Sequence, residues 1–178
     1  SRPFWDILKP PSRLEDIFEQ RFEQGEFELQ DALRIVSQER GLDREMSTPE
    51  YLDWFSVTLG ENIAKMHKSG YAHAYLSMHN ITLDCRLLDF DGATKFDPPI
   101  TPDDMKRESA IALKVARNHF NQPDLGIYSN HEFAPGDIKR EITDALFALI
   151  TFTKKINENY DVLDIIKKVE EGYRKGSL

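Results

Sequence analysis

At Gly70 the hydrophobic period of this chain changes, and few folds tolerate the switch. Upstream, Leu52, Phe55, Leu59, Ile63 and Met66 recur at spacings of three and four, the stripe of a long amphipathic helix. The "STPE" before it places Thr48 as N-cap and Pro49 at the first helical position, where a missing N–H costs nothing. Lys65, His67 and Lys68 fall in the last turn, where cations suit the helix dipole. Downstream, "ITLDCRLLDF" carries β-branched and leucine residues on both sides of Asp84-Cys85, which predicts two short strands joined by a tight turn. The expected fold class is therefore mainly α with a short β-hairpin.

The remaining punctuation is helical. Ser12 and Glu15 form a capping box ahead of Leu14, Ile17, Phe18 and Phe22, with Gly25 as the stop. A second helix is expected from about Asp31 to Arg40, closed by Gly41. Thr101-Pro102 starts another, to about Phe120. Asp137 starts one carrying Ile138, Ile142, Leu146 and Leu149, and Asp161 starts the last, carrying Val162, Ile165, Val169 and Tyr173. The "NQPDLGIYSNHEFAPG" between two of these helices is a loop.

At 178 residues the chain is long enough to bury a core without disulfides, and 1–178 is read as a single domain. Lys plus Arg is 23 against Asp plus Glu 31, a net charge of -8 that argues against general attraction to nucleic acid or anionic membranes. The single cysteine, Cys85, excludes an internal disulfide and a thiolate-only metal site, so a reducing, cytoplasmic setting fits best. The longest apolar run, "ALFALI", is core-sized rather than membrane-spanning. The first residues, "SRPFWDILKPP", lack the apolar centre of a signal peptide. With no initiator Met, the chain reads as a piece of a longer one.

The chemistry concentrates in "YAHAYLSMHNITLDCRLLDFDGA", Tyr71 to Ala93. Asn80 offers a side-chain carbonyl and Asp89 a carboxylate. Mg²⁺ takes hard oxygen ligands and is usually held by one or two protein groups, with substrate phosphates supplying the rest. A hairpin between the two residues would return the chain so that both ends meet. Without further context, a turn residue and a strand-end residue bonding the backbone would be the favoured account of this pair.

The pattern of His73, Asn80 seven residues later, and "LLDFDGA" resembles the C-terminal lobe of the protein-kinase-like superfamily, over about residues 51–98. "MHKSGYAHAYLSMHN" is also similar to the aminoglycoside phosphotransferase branch, where Asp-Phe-Asp-Gly is normal. Asp89 follows Asn80 by nine residues, closer than in typical kinases and similar to the selenoprotein-O family of protein adenylyltransferases. That family also lacks the usual Asp two residues after the His, a place held here by Tyr75. The resemblance implies that Asn80 and Asp89 ligate Mg²⁺ or Mn²⁺ against ATP phosphates, and that His73 braces the loop. His79, where selenoprotein-O members have an Asp proposed as base, would serve as the catalytic base.

Several parts of that family's machinery are missing. No two glycines stand as G-x-G, so there is no phosphate-covering loop, and the N-lobe is absent or lies before Ser1. "IAK" at Ile63–Lys65 imitates a nucleotide-strand lysine but sits in the helix pattern, so Lys65 is read as a surface residue. Tyr75 is read as a packing residue, Cys85 as incidental, and the carboxylates of the first helices, Glu15 and Glu19 among them, as a solvated face. His119 and His131 have no metal-like spacing.

The expected function is a metal-dependent nucleotide-binding domain of a kinase-like phosphoryl- or adenylyl-transferase acting on a hydroxyl. The alternative is a catalytically inactive, pseudokinase-like module for protein–protein interaction. A third, a helical regulatory domain without a nucleotide, gains if the hairpin does not exist. The implied partners are a nucleotide and a protein partner or substrate.

Overall fold

A computed structural model describes residues 13–16, 22–121, 133–157 and 159–178, with backbone alone for 22–28. Among the described residues it contains five α-helices: α1 Phe22–Glu39, α2 Thr48–Lys68, α3 Pro102–Phe120, α4 Ile138–Ile156 and α5 Val162–Gly176. Two strands, β1 Tyr71–Ala72 and β2 Thr94–Lys95, form an antiparallel pair with Tyr71 opposite Lys95 and Ala72 opposite Thr94. The chain is thus mainly helical with a small two-stranded sheet.

The caps follow the sequence closely. Thr101 and Asp104 make a reciprocal capping box on α3, and Asp137 and Asp161 accept from Lys139 and Leu163 N–H groups at the starts of α4 and α5. The cap of α2 is Ser47 rather than Thr48: Ser47 accepts from the Glu50 N–H, and Glu50 returns to the Ser47 N–H. Serine wins because it lies three residues before a glutamate, the spacing that satisfies both orphan donors.

Gly25 does not stop a helix; α1 runs through it to Glu39, and Gly41, at φ 71°, is the terminator. A lone interior glycine costs only about 1 kcal/mol of helix propensity, too little to break a helix held by its flanks. Ser12 lies outside the described residues, as do Ile17, Phe18, Glu19 and His131. Leu14 is fully buried, but in a turn rather than a helix, its N–H bonded to the Ile81 carbonyl 2.9 Å away.

The core gathers the predicted stripes. Leu52, Phe55, Leu59 and Ile63 of α2 are buried with Ile142, Leu146 and Leu149 of α4 and Ile165 and Val169 of α5. Helices α2 and α5 approach so closely that a Cβ at Gly60 or Gly172 would meet the backbone of the other helix, at the Val169 or Val57 carbonyl. Glycine is required there by space, not by φ. Among the described residues no helix is long and apolar enough to cross a membrane.

Between β1 and β2 the chain makes a second, smaller hairpin. Ile81 bridges Leu87 antiparallel, the Leu88 N–H bonds the Asn80 carbonyl at 2.8 Å, and the Thr82 N–H bonds the Arg86 carbonyl at 2.9 Å. The expected turn at Asp84-Cys85 is present, with Cys85 at φ 62°. It is held by bridges rather than by extended strands, because the Thr82 hydroxyl accepts the Arg86 N–H at 2.8 Å and tightens the turn. Helix α2 grips the tip: the Tyr51 hydroxyl donates to the Leu83 carbonyl, and Asn62 Nδ2 to the Cys85 carbonyl at 2.9 Å.

Candidate functional site: a loop with a bonded floor and an open rim

The loop from His73 to Gly92 is closed by the β1–β2 pair and contains the smaller hairpin, so its shape is set from its ends and from within. Its floor is one carboxylate. Glu141, near the start of α4, accepts the His73 N–H on Oε1 and the Ala74 N–H on Oε2, each at 2.9 Å, and His67 Nε2 at 2.9 Å. His67 in turn places Nδ1 2.8 Å from the Tyr173 hydroxyl of α5. Burial alone would raise the Glu141 pKa, but His67 and the two backbone N–H groups outweigh it and hold the carboxyl below its ordinary value. Burial, reinforced by the Glu141 charge, pushes the Tyr173 phenol up.

His67 is therefore not at a solvated helix end, as expected from its position, but is a fully buried ring on the apolar stripe, four residues after Ile63. Lys65 is exposed, as expected, 3.4 Å from Glu61.

His73 is fully buried. Its Nε2 lies 2.6 Å from the Leu88 carbonyl, so the ring donates there, while Nδ1 accepts the Tyr75 N–H at 3.2 Å. Its face meets Phe90 at a centroid distance of 5.1 Å. It braces the segment that carries Asp89.

Asn80 is 5 % exposed; its Nδ2 donates to the Tyr75 carbonyl at 2.7 Å, and its Oδ1 is buried with no hydrogen-bond partner among the described residues. An unpaired buried carbonyl oxygen costs roughly 1–3 kcal/mol. Asp89, one residue beyond the Leu88 that pairs with Asn80, is exposed, with φ 60° and ψ 69°, and its carboxylate caps nothing. Ala74, Cys85 and Asp89 are the non-glycine residues with positive φ among those described, and all lie in this segment. Such strain persists only where the surroundings over-determine it.

The structure places His79 differently from Asn80. Its side chain is 55 % exposed, with Nδ1 against the Glu15 carboxylate and Nε2 3.0 Å from Arg13 Nη1. A guanidinium can only donate, so Nε2 carries the lone pair, that pair is occupied by Arg13, and Nδ1 donates to Glu15. Glu15 is thus a partner of the loop, not part of a solvated face. Tyr75, expected to pack inside, is 65 % exposed; its ring lies over Gly92, where a Cβ would come within 2.8 Å of it. Cys85 is buried, and that burial, with the Asp84 charge, pushes its thiol well above the ordinary range, so it is no nucleophile.

Glu141 went unrecognised in the sequence. Its signal was a carboxylate beside Ile138 and Ile142, on the buried stripe of an amphipathic helix.

Asn80 Oδ1 and the Asp89 carboxylate are each hard oxygen donors of the kind that suits Mg²⁺ or Mn²⁺, and the orphaned Oδ1 is an observation such an ion would account for. Among the described residues no three His, Cys, Asp or Glu side chains gather into a self-sufficient metal cage. The chain matches no protein-family model, no curated protein and no solved structure.

Proposed function

We propose that this chain is a kinase-like C-terminal lobe and that its loop binds a nucleotide through a divalent metal, for transfer of a phosphoryl or adenylyl group to a hydroxyl. The observation that carries this reading is a buried Asn80 Oδ1 with no described partner, on a hairpin whose register sets Asn80 against Leu88, the residue before the exposed, uncapped Asp89. Polar groups left unpaired on a strained, well-braced loop are the usual mark of a ligand site. When bound, Mg²⁺ or Mn²⁺ would neutralise charge on the nucleotide phosphates.

The chain's own residues would divide the work. Asn80 and Asp89 hold the ion, His73 fixes the Leu88 carbonyl ahead of Asp89, and Glu141 fixes the loop from below. For an acceptor held beside His79, that ring would accept the hydroxyl proton once Arg13 releases Nε2.

Calorimetric titration of ATP, with and without Mg²⁺ or Mn²⁺, tests the reading. Metal-dependent binding should weaken at least about tenfold, or ~1.4 kcal/mol, in Asp89→Ala and in Asn80→Ala. Equal affinity in the variants would overturn the assignment.

A second reading, a pseudokinase-like module that binds a protein partner, is favoured by the engagement of both His79 nitrogens and by Tyr75 at the place of the catalytic Asp. Turnover of ATP that is lost in His79→Ala would exclude it.

A further inference from the structure

Beside Asn80 the loop and helix α4 line an open cavity of about 290 Å³. Its walls are largely apolar, with Leu76 and Met78 from the loop and Phe147 and Ala148 from the helix. Asn80, Tyr75, Ser77, Arg140 and Asp144 bring the polar groups. An apolar pocket with a few convergent polar groups is the form a small-ligand site takes, and this volume suits one ring or one short branched chain.

Asp144 is the only carboxylate among the lining residues. Arg140 Nε reaches its two oxygens at 3.3 and 3.2 Å, long for a charge-assisted pair, and Arg140 Nη1 is turned away to the Phe133 carbonyl at 2.9 Å. A carboxylate has about four lone-pair sites, so Asp144 keeps acceptor capacity. Its charge is already matched by Arg140, so a neutral donor fits there better than a second cation. Asn80, whose Oδ1 lacks a partner, lines the same space. His79 does not, since it turns to Arg13 and Glu15, so an acceptor held here would give its hydroxyl proton to Asp144 rather than to His79.

We propose that this cavity binds the acceptor, a hydroxyl group on a short apolar body such as an alcohol or phenol, with Asp144 accepting the hydrogen bond from that hydroxyl. The inference rests on the transfer reading above and gives it an acceptor class. Burial pushes the Asp144 carboxyl up to about 6, against the pull of Arg140 and helped by the Glu141 charge. The protein thus keeps a carboxylate where solvation is poor, beside a site of proposed chemistry.

The test is a titration of p-cresol followed by amide NMR, with N-acetyl-tyrosine amide in parallel and Mg²⁺-ATP titrated into the same samples. Saturable shifts should centre on residues 74–80 and 144–148, and p-cresol affinity should fall at least about fivefold in Asp144→Asn and in Phe147→Ala. In the wild type, affinity should also weaken as pH falls below about 6, where Asp144 takes up a proton. That dependence needs no variant to fold, and it should be absent in Asp144→Asn.

Binding of both probes would admit a protein side chain as acceptor, whereas p-cresol alone would limit the site to free small molecules. ATP binding without p-cresol binding would overturn the pocket and leave the transfer reading standing. The reverse would overturn the transfer reading and leave the pocket. Unchanged p-cresol affinity in Asp144→Asn, with no pH dependence, would remove Asp144 from the site.

Discussion

The floor and the rim of the loop between β1 and β2 are built on opposite principles. Below, Glu141, His67, His73 and Tyr173 are buried and bonded to one another, to the loop backbone, or to both. Above, Asp89, Tyr75 and Phe90 are exposed, and Asn80 Oδ1 is left unpaired. One chain segment joins them through His73, whose backbone N–H belongs to the floor and whose ring holds the carbonyl preceding Asp89. A floor this well satisfied can hold a rim in conformations that the rim's own residues disfavour. Stability and binding should therefore separate by position.

The largest effect on stability is expected at the floor. Glu141→Ala would leave the His73 and Ala74 N–H groups and His67 without their acceptor, and breaking a buried pair in this way costs roughly 3–5 kcal/mol. Urea unfolding reads it directly. A loss below ~1 kcal/mol would mean that the floor does not hold the loop.

The pH dependence of stability separates two carboxylates of α4. Glu141 has a depressed pKa in the folded chain, so its contribution is present above its ordinary value of 4.5 and is lost as pH falls through the folded value. Asp144 is raised from 3.8 to about 6, so its contribution has the opposite sign: present below 3.8, and lost as pH rises through about 6. From pH 6 down to about 4.5 the wild type should therefore gain stability relative to Asp144→Asn, and below that it should lose stability relative to Glu141→Gln. Urea midpoints across this range, parallel in all three proteins, would contradict both assignments.

At the rim the pattern should invert. Asp89→Asn keeps a side chain that tolerates positive φ and removes a charge that touches no described partner, so stability should stay within ~0.5 kcal/mol. Metal-dependent ATP affinity should nevertheless drop. A variant that loses both would make Asp89 a structural residue.

This division explains what was legible in the sequence. The helix stripes, the caps at Thr101, Asp137 and Asp161, and the turn at Asp84-Cys85 are local signals, and they appear in the fold where local chemistry puts them. That a hairpin lies between Asn80 and Asp89 could be read from spacing, because a short hairpin is itself local. The floor could not be read: His67 and Glu141 are 74 residues apart, and each looks like an ordinary helix polar group until the helices pack. Tyr75 was misplaced for the complementary reason, since an aromatic residue is inside only if something covers it, and here it lies open over Gly92.

The smallest expected effect tests whether the residue 13–16 segment belongs to the floor or the rim. Leu14 is buried and Arg13 bridges Thr82, so the segment is anchored to the hairpin by backbone and core. The Arg13 side chain adds one exposed bond to His79, the kind of contact that contributes little to stability. Arg13→Ala should then change the unfolding free energy by less than ~1 kcal/mol while freeing the Nε2 lone pair, visible as a shift of the His79 ring nitrogen resonances. If His79 is the base, ATP turnover should rise in this variant. A shift in the resonances without a gain in turnover would leave His79 as a clasp for the segment and favour the inactive module.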